Sequence, residues 1–192
     1  MQFNINKSLE ILERTPLVLE TMLNGLSDEW IKNNEGPETW SPFDILGHLV
    51  HGEKTDWIPR MEIILADITD KSFVPFDRFA QFNESKGKTM KQLLDEFRAL
   101  RKQNVERLRS KNLRQDDFAR GGIHPAFGPV TLLQLLSTWV VHDLNHISQI
   151  SRVMAKQYKG EVGPWVEYLG ILRVGRRQEA GGRRQEAGGS RQ

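Results

Sequence analysis

The most informative segment of the sequence is residues 131–158, TLLQLLSTWVVHDLNHISQISRVMAKQY, which has the periodicity of one long helix that begins after an N-cap at Thr131. Residues three and four positions apart lie on the same face of a helix. Six residues with this spacing form the face that we expect to point toward the core: Leu135, Trp139, His142, His146, Ile150 and Val153. Histidine therefore occupies two positions of an otherwise apolar face.

These two histidines predict a metal site. At positions i and i+4, the rings of His142 and His146 lie one turn apart, within reach of one ion at the roughly 2.0 to 2.1 Å of imidazole ligation. The third ligand has to come from another helix, and His48, in WSPFDILGHLVHGE, has apolar neighbours on a predicted helical face. We expect these three histidines to bind one divalent ion and to leave a coordination position open. The alternative is a chance HxxxH spacing in which buried histidines only form hydrogen bonds.

The other two histidines are expected at the edge of this site or away from it. His51 follows His48 by three residues and is a fourth ligand, a hydrogen-bonding neighbour of the site or, as we expect, a half-exposed residue at the rim of a pocket. His124 lies in residues 121–130, GGIHPAFGPV, where we expect a loop histidine hydrogen-bonded to backbone. A position facing the pocket is the alternative for His124.

Two carboxylates are the candidate catalytic residues. Asp143 lies about 100° around the helix from His142, so it is better placed to orient a group beside the site than to bind the ion. Glu53 lies on the same predicted helix as the first histidine. Either carboxylate could act as a general base, and the alternative for both is a solvated position on a helix surface. Trp40 and Trp139, which are core residues by default, lie close enough to the histidines in sequence to line a pocket.

The rest of the chain predicts further helices. We expect a helix over residues 6–24 with a kink or restart at Thr15-Pro16, a second from Ser41-Pro42 with a bend at Pro59, and a third from Thr89 to about Lys111. Residues 68–88 contain four phenylalanines with proline and glycine, which favours an irregular connection that could cover a pocket. Residues 121–130 should be irregular as well. The predicted fold class is therefore all-α, a four-helix bundle with long inter-helix connections.

The composition narrows the class of protein. A chain of 192 residues, 38% of them hydrophobic, is about the size of one domain, which we assign to residues 1–174. No run approaches the roughly 20 apolar residues of a membrane span, and the N-terminus lacks the features of a signal peptide. We therefore expect a cytoplasmic protein without a membrane partner. The absence of cysteine excludes disulfides, thiolate metal ligands and a cysteine nucleophile.

The last 18 residues, 175–192, form a low-complexity tail, GRRQEAGGRRQEAGGSRQ. This tail has no apolar residue except alanine, so we expect it to be disordered or to form a purely local helix. Its five arginines and two glutamates contribute +3 to a net charge of +2, which leaves −1 for the rest of the chain. A nearly neutral domain argues against a nucleic-acid partner, because phosphate binding requires clustered basic residues.

Two segments of the chain carry a resemblance to a known family. Residues 39–53, TWSPFDILGHLVHGE, and residues 124–150, HPAFGPVTLLQLLSTWVVHDLNHISQI, resemble the DinB-like (YfiT-like) family of metalloenzymes. The family motif is one histidine on the second helix and HxxxH on the last long helix, and it falls here on His48, His142 and His146. The resemblance extends over nearly the whole chain except the tail. It implies a four-helix bundle that binds nickel or zinc, often as a homodimer.

The resemblance also implies a range of reactions, because the family that the sequence resembles includes transferases and isomerases that use small thiols. We predict a metal-dependent enzyme that activates water or a thiol cosubstrate to attack a small electrophilic substrate, as a hydrolase or a thiol S-transferase. A thiol would have to be a low-molecular-weight cosubstrate, since the chain has no cysteine. The alternative is a non-catalytic bundle stapled by the metal, or a small-molecule binding module. The residues alone leave the metal open among zinc, nickel, copper and iron.

Overall fold

Helices account for most of the chain in the computed structural model, which describes residues 2–173. The helices are α1 (Ile5–Leu23), α2 (Asp28–Lys32), α3 (Pro42–Thr55), α4 (Trp57–Leu65), α5 (Ala80–Glu84), α6 (Met90–Ser110) and α7 (Leu132–Gln157). Two short strands, β1 (Gly121–His124) and β2 (Gly128–Thr131), and three 3-10 segments, Gln115–Ala119, Gly163–Tyr168 and Gly170–Leu172, complete the described elements. The predicted all-α bundle is confirmed, and the tail at residues 175–192 lies outside the described residues.

The four helices of the bundle are α1, α3 with its continuation α4, α6 and α7. Both α1 and α3 pack against α6 and α7, so α1 and α3 occupy opposite corners of the bundle. Two apolar clusters show the direction of each helix. The first cluster contains residues from the N-terminal halves of α1 and α7, from α4 and from the C-terminal half of α6. The second contains residues from the C-terminal halves of α1 and α7, from α3 and from the N-terminal half of α6. Hence α1 and α7 run one way and α3 and α6 the other, an up-down-down-up order that helix spacing alone does not reveal.

The polar core of the protein lies where the helices pass from one apolar cluster to the other. At this level, three helices place charged or imidazole side chains inside the bundle: Glu53 on α3, Arg101 on α6, and Asp143 and His146 on α7, all of them buried. Because burying a polar or charged group is costly without a partner, this layer has to be internally hydrogen-bonded. It is the layer that positions the candidate site.

The helix starts follow from capping residues. Ser41, Thr89 and Thr131 each accept a hydrogen bond from the backbone N–H three residues on, and the side chain of that third residue returns a bond to the cap backbone. This reciprocal capping satisfies two N–H groups that a helix N-terminus otherwise leaves unpaired. The helix starts predicted at these three residues are confirmed.

Helix α1 continues through Pro16, so of the two alternatives predicted at Thr15-Pro16, a kink or a restart, the restart is wrong. Proline has no N–H to offer the carbonyl four residues earlier, which here belongs to Leu12. Arg101 takes the place of the missing donor, because its Nη1 donates a hydrogen bond to the Leu12 oxygen at 2.8 Å. The long-range bond explains how a buried proline is tolerated inside the helix.

The second predicted helix is divided at Asp56 into α3 and α4, three residues before the predicted bend at Pro59. Pro59 is the third residue of α4, where a backbone N–H has no partner within its helix, so the missing donor costs little. The redirected chain places Trp57 beneath α7, with its ring stacked on Trp139 at 5.8 Å between centroids.

Residues 121–130, predicted to be irregular, instead form part of an antiparallel hairpin of β1 and β2. The turn uses Gly128 with a φ of +73°, a conformation that favours glycine. The backbone of Ile123 exchanges hydrogen bonds with Lys71 and Phe73, which ties the hairpin to the connection after α4. The prediction failed because this pairing joins residues about 50 positions apart, which local composition does not reveal.

The predicted aromatic connection over residues 68–88 is irregular apart from the short helix α5. It passes over α3, where Phe76 contacts the ring of His48 with centroids 5.4 Å apart. Within residues 2–173, no helix combines the length and the apolar character needed to cross a membrane.

Candidate metal centre

Three histidine side chains from two helices meet at one point beside a cleft. The Nε2 atom of His142 lies 3.1 Å from Nε2 of His48 and 3.1 Å from Nε2 of His146. His48 comes from α3, and the other two come from successive turns of α7. The structure therefore brings together the three residues that the sequence singled out as metal ligands.

The donor atoms of this three-histidine cluster fit a metal ion better than they fit one another. An imidazole nitrogen carries either one proton or one lone pair, so Nε2 of His142 cannot satisfy two neighbouring nitrogens by hydrogen bonding. Three lone pairs directed at a shared cation remove this conflict. For ligand nitrogens about 2.1 Å from an ion, a separation of 3.1 Å corresponds to an angle of about 95° at the ion, which lies between the octahedral and tetrahedral values.

A glutamine orients one of the three rings. The Nδ1 atom of His146 lies 2.8 Å from Oε1 of Gln149, which can only accept, so Nδ1 donates and the Nε2 lone pair points into the cluster. Histidine ligands of metals commonly donate their second N–H to such a partner. Nδ1 of His48 and Nδ1 of His142 are buried and have no hydrogen-bond partner among the described residues. Aromatic rings contact these two histidines instead, Trp40 with His48 and Trp57 with His142.

Burial keeps the cluster neutral. Loss of hydration lowers the pKa of His48 to about 3, and the nearby His146 and Arg78 add to the effect. Burial also lowers the pKa of His142 well below its ordinary value, with further contributions from the other two histidines. It lowers the pKa of His146 too, against a smaller opposing effect of the Gln149 hydrogen bond. Neutral imidazole is the form that binds a metal ion.

The cleft beside the three-histidine cluster has a volume of about 650 Å³. Its lining residues are Trp40, His48, Phe76, Arg78, Ser137, Thr138, Val141, His142, Asn145, His146 and Gln149. This volume is enough for a small molecule. The prediction that Trp40 lines a pocket is confirmed, as is the suggestion that the aromatic connection covers one, since Phe76 and Arg78 belong to that connection.

The two candidate catalytic carboxylates lie in a buried ion-pair network rather than at the cleft. Arg101 donates two hydrogen bonds to Asp143, at 2.6 and 2.9 Å, and one to Glu53 at 2.8 Å. Glu53 also accepts from Asn104 and from Nε1 of Trp139. Neither carboxylate is on a solvated helix surface, and neither lines the cleft.

These contacts argue against a general-base role for Asp143 or Glu53, which the sequence had left open for either carboxylate. A general base has to reach the proton that it removes, and here Arg101, Asn104 and Trp139 occupy the carboxylate oxygens from inside the core. The network can instead hold α3, α6 and α7 in register and so fix the distance between the two helices that carry the histidines. Trp139 is a buried core residue that belongs to this network, as expected by default, and the alternative that it lines the pocket is wrong.

The remaining histidines lie outside the three-histidine cluster. His51 is 5% exposed, so the expected half-exposed position at the rim is wrong. Its Nδ1 atom is 2.8 Å from Oε1 of Glu84 on α5, which removes it as a ligand at that atom. His124 is a hairpin residue that accepts a hydrogen bond from the backbone N–H of Ala126 and stacks on Phe127, and it does not line the cleft. The expected backbone hydrogen bond of His124 is confirmed.

Sequence reasoning missed three residues of the site and its support: Gln149, Arg78 and Arg101. Gln149 follows His146 by three residues on the same helical face, so its spacing could have identified it. Arg101 lies among other charged residues in the sequence, and nothing local marks it as buried. Arg78 approaches the histidines only because the connection folds back over α3.

The fold and the cluster together define a helical bundle with a three-histidine site between its second and last long helices. Comparison with known proteins identifies the family. Residues 11–150 match the model of the DinB superfamily, and the chain therefore belongs to that superfamily.

Individual relatives agree with this assignment. The uncharacterized protein YuaE of Bacillus subtilis strain 168 is 28% identical over 149 residues, which cover 70% of this chain and 89% of YuaE. The fold is similar to that of YfiT from Bacillus subtilis, which is described as a probable metal-dependent hydrolase with an unusual four-helix bundle topology. The TM-score of this match is 0.67 at 21% identity, and the match covers 81% of this chain and 87% of YfiT. A DinB-like protein from Bacillus cereus ATCC 10987 matches with a TM-score of 0.54 at 21% identity, covering 82% of this chain and 95% of that one.

Proposed function

We propose that His48, His142 and His146 bind one divalent metal ion and that the protein is a metal-dependent enzyme acting on a small molecule. The observation that carries this proposal is the convergence of three histidine Nε2 atoms at the wall of a cleft. The comparison with YfiT, described as a probable metal-dependent hydrolase, supports it at the level of the general class. Zinc and nickel are the proposed ions.

An open metal site favours catalysis over a purely structural ion. Structural zinc sites in proteins are usually closed by four protein ligands. The histidine and carboxylate side chains that lie near the ligands in sequence are engaged elsewhere, since His51 pairs with Glu84, and both Glu53 and Asp143 pair with Arg101. The cleft next to the cluster then gives an incoming molecule access to the ion. A non-catalytic metal staple would require no such cleft.

A divalent ion at this position would act as a Lewis acid and favour the deprotonated form of a water or a thiol at neutral pH. The chain itself supplies the surroundings. Trp40, Phe76 and Val141 give the cleft an apolar wall that excludes water, and Ser137 and Thr138 add hydroxyl groups for hydrogen bonds. None of the carboxylates within residues 2–173 lines the cleft, so we assign no general base to the reaction from this part of the chain.

The proposed nucleophile is either water or a low-molecular-weight thiol, and the proposed substrate is a small electrophile. A thiol would enter as a cosubstrate because the chain has no cysteine. Thiol transfer and hydrolysis differ in one observable. Product that forms from a model electrophile such as 1-chloro-2,4-dinitrobenzene only when a thiol is added indicates transfer, whereas cleavage of p-nitrophenyl acetate in water alone indicates hydrolysis.

The experiment that tests the proposal combines metal content with activity. We expect gently purified protein to contain about one equivalent of a divalent metal and His142→Ala to lose most of it, together with either activity. His124→Ala is the matched control, because that histidine lies outside the cluster. Equal metal content in the wild type and His142→Ala would contradict the proposed site. Bound metal without activity in either assay would favour the staple or a binding module.

We also propose that the protein forms a homodimer. Leu133 and Leu144 share an exposed, apolar face of α7 that a second copy would cover. Light scattering should give twice the mass of the chain, and a monomer mass at micromolar concentration would contradict the dimer.

A further inference from the structure

Arg78 is a cation at the cleft that the metal chemistry does not explain. It lines the same cleft as the three histidines, and its charge contributes to the low pKa of His48. Among residues 2–173, no carboxylate forms an ion pair with Arg78, whereas most other arginines of the described chain have one. A positive charge beside a cation site is unfavourable unless something anionic balances it.

The guanidinium of Arg78 is held in place by aromatic rings. Its Cζ atom lies 5.3 Å from the ring centroid of Trp40 and 5.5 Å from that of Phe79. Stacking of this kind attracts the cation to the ring faces and leaves the in-plane N–H groups available for a ligand. Planar N–H pairs match the geometry of a carboxylate. Arg78 is therefore preorganised to bind an anion, and residues 2–173 provide no carboxylate that pairs with it.

The surroundings indicate what the anion is attached to. Trp40 contacts both the Arg78 guanidinium and the His48 ring, Phe76 contacts the His48 ring, and Val141 lines the same cleft. A ligand that spans the cleft would thus place apolar atoms against these side chains, a charged end at Arg78 and its reacting group at the metal.

We propose that Arg78 is a specificity-determining residue that binds the carboxylate of a small, partly apolar substrate or cosubstrate in this cleft. This inference rests on the proposed function for the reacting end of the ligand, but the pairing between Arg78 and the anion does not require the metal. The two can therefore be tested separately.

The test compares two probes of nearly the same shape, 3-phenylpropionate and its neutral amide, 3-phenylpropionamide, by calorimetric titration. We expect the wild type, both zinc-loaded and metal-free, to bind the carboxylate about tenfold more tightly than the amide or better, since hydrogen bonds to charged groups have this strength. Arg78→Gln should abolish the difference, and Arg78→Lys should retain part of it. Arg14→Gln, which removes an exposed arginine from α1, is the control and should behave as the wild type.

The outcomes are distinguishable. A carboxylate preference that survives in Arg78→Gln, or equal affinity of the wild type for the two probes, would overturn the assignment of Arg78. A preference that is present only in the zinc-loaded wild type would also overturn it, because the ion itself would then be holding the carboxylate. Wild-type protein that shows the preference but binds no metal would support the assignment while removing the proposed function.

Discussion

Removal of the Arg101 side chain should destabilise the protein more than any other single charge deletion. Arg101 is 1% exposed and makes three hydrogen bonds to buried carboxylates, two to Asp143 and one to Glu53, as well as one to the Leu12 carbonyl. In Arg101→Met, Asp143 loses both of these bonds, whereas Glu53 keeps its donors Asn104 and Trp139. Breaking a buried ion pair by removing one partner costs about 3 to 5 kcal/mol.

The measurement is the free energy of unfolding from urea titration at neutral pH, with a thermal scan beside it. For a domain of this size, that loss corresponds to a fall in melting temperature of about 6 to 20 °C. Arg109→Met, on the same helix, removes an exposed arginine that pairs with Glu13 and should cost less than about 1 kcal/mol. Adding Asp143→Asn to Arg101→Met should recover part of the loss, since it removes the uncompensated charge. A loss in Arg101→Met no larger than that in Arg109→Met would refute the role of the buried network.

Three further perturbations follow from the structure. Gln149→Leu should weaken metal binding about 10- to 100-fold with little change in the fold, because it removes the acceptor that orients His146. Competition with a chelator of known affinity measures the metal affinity. An unchanged affinity would count against the role of Gln149 in orienting His146. Glu35 is desolvated, which by itself would raise its pKa, but hydrogen bonds from Arg152 and Lys156 lower the pKa below its ordinary value. The contribution of Glu35 to stability should therefore be full above its unfolded pKa and lost as the pH falls through the lower folded pKa. Glu35→Gln should thus destabilise the protein at pH 7 and have the same stability as the wild type in acid. Equal destabilisation at both pH values in urea titrations would contradict this. Gly122→Ala should cost about 1 to 3 kcal/mol in the same assay, since the added Cβ would lie 2.5 Å from the Phe73 ring, and a neutral effect would mean that the hairpin moves freely.

The parts of the fold that the sequence predicted are those set by local interactions. Helix starts at Ser41, Thr89 and Thr131 depend on capping bonds that span three residues, and the inward face of α7 depends on spacings of three and four. The same periodicity placed His142 and His146 on one face of this helix. Local rules are sufficient for these features because each is complete within one or two turns of helix.

The parts that were missed depend on contacts between distant residues. Arg101 pairs with carboxylates 42 and 48 positions away, so its sequence neighbours make it look like an ordinary surface charge. The hairpin is stabilised by the backbone of residues 71–73, and its glycines and prolines indicated only a loop. The order of helices around the bundle is equally non-local, since it depends on which apolar halves pack together. His51 is buried by α5 and Phe76, neither of which its own helix predicts.

The central claim is that three imidazoles share one ion, and X-ray absorption spectroscopy of the metal-loaded protein tests it most directly. The wild type should show three imidazole ligands at about 2.0 to 2.1 Å with lighter ligands completing the shell, and His142→Ala should show two or fail to bind the metal. His124→Ala should give the wild-type spectrum. A metal shell without imidazole scattering, or the same spectrum for His142→Ala as for the wild type, would contradict the proposed metal centre.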